Sequence, residues 1–176
     1  RDMVGKTPSY ISTTRPLIKG IISDFEVTEK MLKYFIEKIH ENGMTFYPRP
    51  RVVIGVPLDL TEVERKAVED AVIGAGARSV ELIEEPMAAA IGARLPVKES
   101  LGTMVVDIGG GVSQIAVISL GGVVNWRVIP VAGEEMNKNI IQYARDVFNL
   151  LLGEKSAEEI KMKIGSAIEL ADPLRR

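Results

Sequence analysis

The 176-residue sequence carries 22 lysines and arginines against 24 aspartates and glutamates, and 46% of its residues are hydrophobic. This balance excludes wholesale disorder, and the net charge of −2 argues against a nucleic-acid-binding domain, which would normally be basic. Cysteine is absent and His40 is the single histidine, so a disulfide framework, a thiolate metal site and a histidine-rich metal site are excluded. No apolar run approaches the roughly 20 residues that a membrane span needs.

The amino-terminal segment, residues 1–23, predicts an irregular basic lead-in, because a residue that precedes proline is driven towards extended conformations. Asp24 then caps a helix with apolar residues at every third or fourth position, and Asn42 and Gly43 end that helix. Its predicted inner face consists of Val27, Met31, Leu32, Phe35, Ile36 and Ile39.

The rest of the first half predicts two strands and two helices. Short apolar runs indicate the strands, at residues 51–57 and 79–83, and the first has the pattern of a strand buried on both faces. Thr61 and Glu64 form a capping box at the start of the helix that connects the two strands. An alanine-rich helix follows the second strand, at residues 87–94. Because a two-stranded parallel sheet is poorly covered by itself, this half is expected to lack its leading strands.

The second half predicts three strands followed by two helices. Glycine clusters separate the strands, at residues 104–108, 114–119 and 123–131, so the pattern is a meander with short turns. A helix with inward apolar residues, Met136, Val147 and Phe148 among them, is expected at residues 134–151. Ser156 and Glu159 form a capping box that opens a last helix, which extends to about Ala171. Both halves are therefore α/β.

The sharpest local feature is the sequence Asp-Ile-Gly-Gly-Gly at residues 107–111, where a predicted strand ends. An aspartate in that position can hold the water shell of a Mg²⁺ ion, and consecutive glycines let backbone N–H groups approach a phosphate. A plain hairpin turn is the alternative for the glycines. The sequence is not a Walker loop, because it lacks Gly-Lys-Ser/Thr, and not a dinucleotide fingerprint, because no helix follows directly.

Three further groups of residues have both a structural and a functional interpretation. Glu85 lies at the start of a helix, where it serves either as a cap or as a carboxylate that orients a water molecule. Gly133 precedes another helix start, which attracts phosphate, although Glu134 beside it would repel one. Glu158 and Lys161, three residues apart, are compatible with an exposed ion pair as well as with a ligand contact.

The order of these features resembles the bacterial actins, and within them the cell-shape family MreB. The resemblance covers nearly the whole chain and rests on the segments at residues 15–36, 83–93, 104–111, 116–122 and 157–167. It implies an α/β, actin-like (ribonuclease H-like) ATPase fold with two partial lobes. Residues 1–97 would form the first lobe, without its leading strands and first phosphate loop, and residues 98–176 would form the second lobe with the glycine loop.

The resemblance also implies a site for ATP and Mg²⁺. Asp107 would hold the metal through water, Glu85 would polarise the attacking water molecule and Gln114 would help to orient it. The residues that would bind the nucleotide are Gly109, Gly110, Gly111, Ser113, Gly133, Glu158, Glu159, Ile160 and Lys161. The chemistry would be phosphoryl transfer to water, in which positioning and charge stabilisation do most of the work.

Two kinds of departure from the family pattern bear on activity. The glycines are followed by Val112, Ser113 and Gln114 where the family usually has two threonines and a glutamate, and Glu134 and Asn137 stand where it has aspartates. Ser113 keeps a hydroxyl group and Gln114 can still orient water. The family's first phosphate loop and its carboxyl-terminal adenosine loop are not in this sequence, which also begins without Met, so we expect a fragment of a two-lobed actin.

The resemblance implies a slowly ATP-hydrolysing, filament-forming protein that organises cell-wall synthesis and maintains cell shape. It would form homopolymeric filaments in the cytoplasm, at the inner face of the cell membrane. Its other partners would be inner-membrane proteins of cell-wall elongation, peripheral membrane association would be possible, and nucleic acid would not be a partner. One alternative is another ATPase of the superfamily, such as a chaperone-like protein, a sugar kinase, or a magnetosome or plasmid-type actin. The other is a partial core that binds ATP weakly or not at all.

Overall fold

The computed structural model describes residues 13–40 and 49–169. These residues form two compact units. The first contains the described residues up to Asp107 together with Gln114–Val128, and the second contains Ile108–Ser113 and the described residues from Ile129 onward. Among the described residues, no helix is both long enough and apolar enough to cross a membrane. The division into lobes between residues 97 and 98 stays a prediction.

The first unit begins with a small antiparallel hairpin of β1 (Leu17–Ile18) and β2 (Ile21–Ile22). Lys19 and Gly20 connect the two strands with positive φ angles of 53° and 80°. Two consecutive left-handed residues produce the turn whose twist matches a two-residue hairpin, and glycine in the second position favours it. The prediction that residues 1–23 form an irregular lead-in is therefore wrong for these residues.

Helix α1 (Phe25–His40) begins as predicted after Asp24, whose side chain accepts a hydrogen bond of 3.0 Å from the Val27 N–H group. The predicted inner face is wrong near the end of the helix, because Phe35 is 51% exposed and Ile39 is 78% exposed. The other four residues of that face are partly buried. The helix stop predicted at residues 42 and 43 lies outside the described residues.

Strands β3 (Arg51–Val56) and β4 (Ser79–Glu84) pair in parallel, in a register that aligns residue 51 with residue 79. Helix α2 (Glu62–Gly74) connects them. The prediction that the first of these strands is buried on both faces is wrong, since burial alternates along β3 and Val53 is 66% exposed. Successive side chains point to opposite faces of a sheet, and one of the two faces of β3 is poorly covered by the described residues.

The predicted capping box at the start of α2 is confirmed. The Thr61 side-chain oxygen accepts a hydrogen bond of 3.3 Å from the Glu64 N–H group, and the Thr61 N–H group donates to the Glu64 carboxylate at 2.8 Å. The Thr61 hydroxyl also donates to the Glu64 carboxylate at 2.7 Å. This bond and the one from the Thr61 N–H group lower the pKa of Glu64, because both stabilise its charged form. Two otherwise unpaired donors of the first helical turn are thereby satisfied.

Replacing Thr61 with alanine is expected to lower the free energy of unfolding by about 1 kcal/mol, because the helix loses its amino-terminal cap. Chemical denaturation of the 176-residue chain, followed by circular dichroism, measures the change. The matched control is Thr14→Ala, since Thr14 is an exposed threonine outside any helix. Equal stability of the Thr61 variant and the control would show that the capping box contributes nothing.

Helix α3 (Glu85–Gly92) follows β4 directly, and a three-stranded sheet follows in the order β5 (Thr103–Ile108), β6 (Ser113–Ser119) and β7 (Gly122–Ile129). The predicted meander is confirmed. The core of the first unit contains Met87 and Ala90 of α3 and Ile118 of β6. Alternate residues of β6 are buried, so Gln114 lies on the same inward face as Ile118.

The second unit contains helices α4 (Gly133–Phe148) and α5 (Glu154–Ile164), which pack against each other with Ala144 and Ala157 buried. Helix α4 ends at Phe148 because Asn149 adopts a left-handed conformation. Its predicted inward residues at positions 136, 147 and 148 are exposed. The capping box predicted at residues 156–159 is wrong, since Gly153 is the N-cap and residue 156 already lies inside the helix.

Helix α5 ends at Ile164, earlier than the predicted end near residue 171. Gly165 has an extended conformation and donates its N–H group to the Lys161 carbonyl at 3.0 Å, which closes the last turn. Residues 165–169 are exposed and do not continue the helix. Residue 171 itself lies outside the described residues.

Candidate functional site

The carboxylate of Glu85 lies at the start of α3, in the first unit. It accepts a hydrogen bond from the side-chain amide of Gln114, which lies 29 positions later in the sequence. Gly55 of β3 is so close that an added Cβ there would be 3.3 Å from the Glu85 Cγ atom. Elements β3, β6 and α3 therefore all determine where this carboxylate lies.

Gln114 is 1% exposed and both ends of its side-chain amide are engaged. Its Oε1 atom accepts a hydrogen bond of 2.9 Å from the N–H group of Leu58, and its Nε2 atom donates to Glu85. The sequence pattern points to Gln114 through its place after the glycines. The Leu58 N–H group and Gly55 have no sequence signal of their own, because they meet these residues only in the folded chain.

The pKa of Glu85 is raised above its ordinary value. Partial burial is the largest cause, because it disfavours the charged form, and the negative charge of Asp107 acts in the same direction. The hydrogen bond from Gln114 opposes both, since it stabilises the carboxylate. A carboxylate with a raised pKa is a stronger base than an ordinary glutamate, which suits a group that takes up a proton.

Replacing Asp107 with asparagine is expected to lower the pKa of Glu85 in the metal-free chain, because the nearby negative charge disappears while burial stays the same. Carbon-13 NMR titration of the glutamate carboxyl groups measures the shift. The control is Asp146→Asn in α4, which removes a charge from the second unit. A Glu85 pKa that Asp107→Asn leaves unchanged would show that the two carboxylates do not interact.

Asp107 lies on β5 and is partly buried. Among residues 13–40 and 49–169, no three histidine, cysteine, aspartate or glutamate side chains converge as a metal-binding group. A Mg²⁺ ion does not require such a group, because it keeps several water ligands and is often held by one or two carboxylates together with substrate phosphates. The oxygen donor of Asp107 therefore fits this metal.

The glycine loop, residues 109–111, lies in the second unit with the start of α4. The Gly109 N–H group donates to the Val112 carbonyl at 3.0 Å and closes a tight turn. The first N–H groups of α4 donate to carbonyl oxygens of the loop, from Gly133 to Gly109 at 3.1 Å and from Glu134 to Gly110 at 2.8 Å. The loop and the start of the helix are thus joined by backbone hydrogen bonds.

The glycine loop also keeps donors that a phosphate could use. Within the described residues, no hydrogen bond engages the N–H groups of Gly110 and Gly111. An added Cβ at Gly110 would meet nothing within 4 Å, so the surroundings of this residue are open. Ser113 donates its hydroxyl to the Val131 carbonyl at 2.6 Å and joins the loop to the segment before α4. Backbone donors in an open glycine turn are suited to an anion.

A third cluster ties α5 to the start of α4. The Lys161 ammonium group donates to the Gly133 carbonyl at 3.0 Å and to the Glu158 carboxylate at 2.9 Å. Asn137 donates its amide to the same carboxylate at 2.6 Å. A Cβ at Gly133 would lie 3.2 Å from the Lys161 Nζ atom, a tight contact that the flexible lysine side chain would have to relieve.

The sequence-predicted residues therefore fall into separate groups. Glu85, Gln114 and Asp107 lie in the first unit, and the glycine loop lies in the second with Gly133, Glu158 and Lys161. Ile160 is partly buried, whereas Glu159 is exposed and pairs with Lys163 at 3.6 Å, outside the Lys161 cluster. Asn137 departs from the family pattern, and its bond to Glu158 has no sequence signal because it joins residues 21 positions apart.

A family model described as MreB/Mbl protein matches residues 1–174. The chain belongs to the MreB/Mbl family. The cell shape-determining protein MreB of Pasteurella multocida is 51% identical over 174 residues, which make up 98% of this chain and 49% of that protein. MreB of Escherichia coli K12 is 52% identical over 167 residues, which cover 95% of this chain and 48% of that protein. The chain thus spans about half the length of the curated relatives it matches.

A solved structure of the same family supports the fold. The crystal structure of MreB5 of Spiroplasma citri bound to ADP superimposes with a TM-score of 0.88 at 34% sequence identity. The match covers 97% of this chain and 50% of that chain. The predicted fold class is therefore confirmed, and the described residues have the actin-like fold of the MreB/Mbl family.

Proposed function

We propose that this chain is the part of an ATP-hydrolysing, filament-forming MreB protein that holds the water-activating carboxylate and one of the phosphate loops. The observation that carries the proposal is the Glu85 carboxylate, held by a buried amide in the unit that also contains Asp107. Family membership supports it, and so does the crystallisation of MreB5 of Spiroplasma citri with ADP and with AMPPNP. Maintenance of cell shape through the organisation of cell-wall synthesis is the cellular role that we propose.

Each group of residues has a distinct role in this proposal. Glu85 polarises the attacking water molecule and accepts its proton, for which its raised pKa suits it. Gly110 and Gly111 offer backbone N–H groups to the phosphates, and Asp107 holds Mg²⁺ through water. The metal, when bound, neutralises phosphate charge that develops during transfer.

The remaining predicted residues contribute to nucleotide binding. Glu158 and Lys161 present their charged groups to the adenosine, and Gly133 permits a close approach at the start of α4, as its contact with Lys161 indicates. Ser113 supports the loop through its hydroxyl group. Glu159 and Ile160 lie between Glu158 and Lys161 on α5, and Glu159 pairs with Lys163 instead of joining the Lys161 cluster. We also propose that the first lobe ends at residue 97 and that the second begins at residue 98.

Calorimetry with Mg-ATP tests nucleotide binding on the 176-residue chain and on the full-length gene product. Micromolar affinity in both supports the proposal, and affinity in the longer protein alone shows that the 176 residues form a partial core. Absence of binding in both overturns it. The second candidate function is such a partial core, which binds ATP weakly or not at all. It is favoured because the chain matches only about half the length of its relatives.

We propose that the protein associates with itself into filaments at the inner face of the cell membrane. Inner-membrane proteins of cell-wall elongation are its further proposed partners. Electron microscopy of the full-length gene product with ATP should show filaments, and their absence at high protein concentration would contradict the proposal. Flotation with vesicles of bacterial lipids tests membrane contact separately. Recovery of the protein in the dense fraction alone would contradict that contact.

A further inference from the structure

We propose that Gln114 is a positioning residue that holds the carboxylate of Glu85 in one orientation without contacting the attacking water molecule. The inference rests on the proposed ATPase function and deepens it. Its basis is a chain of two hydrogen bonds, from the Leu58 N–H group to the Gln114 Oε1 atom at 2.9 Å and from the Gln114 Nε2 atom to Glu85.

The Leu58 N–H group determines the orientation of the Gln114 amide. A backbone N–H group can only donate, so it must meet the carbonyl end of the amide. The NH₂ end then faces Glu85, whose carboxylate can accept. The reversed amide would place a donor against the Leu58 N–H group and an acceptor against the carboxylate, and would lose both bonds. Leu58 thereby determines, through Gln114, which group faces Glu85.

Burial separates Gln114 from the solvent. Its residue surface is 1% exposed, and it shares the inward face of β6 with Ala116 and Ile118, which are fully buried. Leu58 is itself buried in the loop after β3. A water molecule that reacts must come from solvent and reach the Glu85 carboxylate, which is only partly buried. Glu85 is therefore accessible to water and Gln114 supports it from the protein interior.

Gly55 of β3 leaves the space that the Glu85 side chain occupies. An added Cβ at Gly55 would be 3.3 Å from the Glu85 Cγ atom, closer than an ordinary contact. The absence of a side chain at Gly55 thus leaves room for Glu85, and the hydrogen bond from Gln114 fixes its carboxylate oxygen. A catalytic group fixed in this way keeps one geometry, and misplacement by about 1 Å can cost 100-fold in rate.

A double-mutant cycle on ATP hydrolysis by the full-length gene product tests the positioning role. Gln114→Met keeps the side-chain length and removes both hydrogen bonds, and it should lower kcat about 10- to 100-fold with the ATP dissociation constant within about twofold. Glu85→Gln should lower kcat as well. The double variant should be no slower than Glu85→Gln alone, because Gln114 acts only through Glu85.

Several results would overturn the proposal. A double variant at least about tenfold slower than Glu85→Gln alone would show that Gln114 contacts the water molecule itself. A kcat unchanged by Gln114→Met would show that it has no role. The matched control is Gln142→Met at an exposed glutamine of α4, which should leave kcat and affinity unchanged.

An NMR measurement distinguishes the failure of this proposal from the failure of the proposed ATPase function. In proton–nitrogen NMR spectra of the wild-type protein, the Gln114 NH₂ signals should exchange slowly with water and shift on Glu85→Gln. Fast exchange, or signals that do not shift, overturn the positioning role even in an active ATPase. A wild-type protein without ATPase activity overturns the proposed function, while these signals still report the geometry. The same measurement applies if Gln114→Met does not fold.

Discussion

Replacing Asp107 with alanine is expected to abolish Mg²⁺-dependent ATP turnover in the full-length gene product. The aspartate carboxylate on β5 is the oxygen donor that we propose for the water shell of the metal, and its loss should weaken Mg²⁺ binding by about 100-fold. Turnover measured across a range of Mg²⁺ concentrations would detect both the loss and any partial rescue at high metal concentration.

The matched control for this change is Asp146→Ala, which removes an exposed aspartate that bonds with Gln142 on α4. It should leave the Mg²⁺ dependence unchanged. Circular dichroism of both variants shows whether they fold. Wild-type turnover in the folded Asp107 variant would refute its metal role.

Replacing Glu85 with glutamine is expected to preserve ATP binding and to slow hydrolysis by about 10²- to 10⁴-fold, the range for loss of a general base. Glutamine has the same shape, and its carbonyl oxygen can still accept the bond from Gln114, so the local structure should survive. Single-turnover hydrolysis and equilibrium binding with the nonhydrolysable analogue AMPPNP separate the two effects.

The wild-type protein should also lose activity at low pH, because a protonated Glu85 cannot accept a proton from water. Since burial raises its pKa, this loss should begin at a higher pH than for an ordinary glutamate, whose pKa is about 4.3. The Glu85→Gln variant should lack this acidic limb. Loss of binding and hydrolysis together in that variant would show that Glu85 is a structural residue.

Local sequence patterns predicted most of the fold correctly where the governing contacts are local. The capping box of α2 joins residues three apart, and the strand–glycine–strand order of the meander depends on alternation and turns within a few residues. The lead-in hairpin was missed because Lys19 is not a residue that typically signals a left-handed turn. The predicted start of α5 is wrong because the helix begins three residues earlier, after Gly153, where no capping side chain signals its start.

The apolar faces of α1 and α4 show another limit. Periodicity correctly indicates helices there, but it cannot tell which apolar residues find a partner. Phe35 and Ile39 lie on the predicted face of α1 and are exposed, as is Phe148 on α4. Burial depends on whether another element packs over each turn of the helix, and that is a property of the three-dimensional arrangement.

The sequence by itself determined the α/β class, the glycine loop after Asp107 and the place of Glu85 at a helix start, because each follows from spacing within a few residues. It also carried the order of segments by which the MreB/Mbl family is identified. Only the tertiary structure decided that Gln114 is buried and that it connects Glu85 to the Leu58 N–H group. Those hydrogen bonds join residues 29 and 56 positions apart, so they exist only because β6, α3 and the loop after β3 pack together.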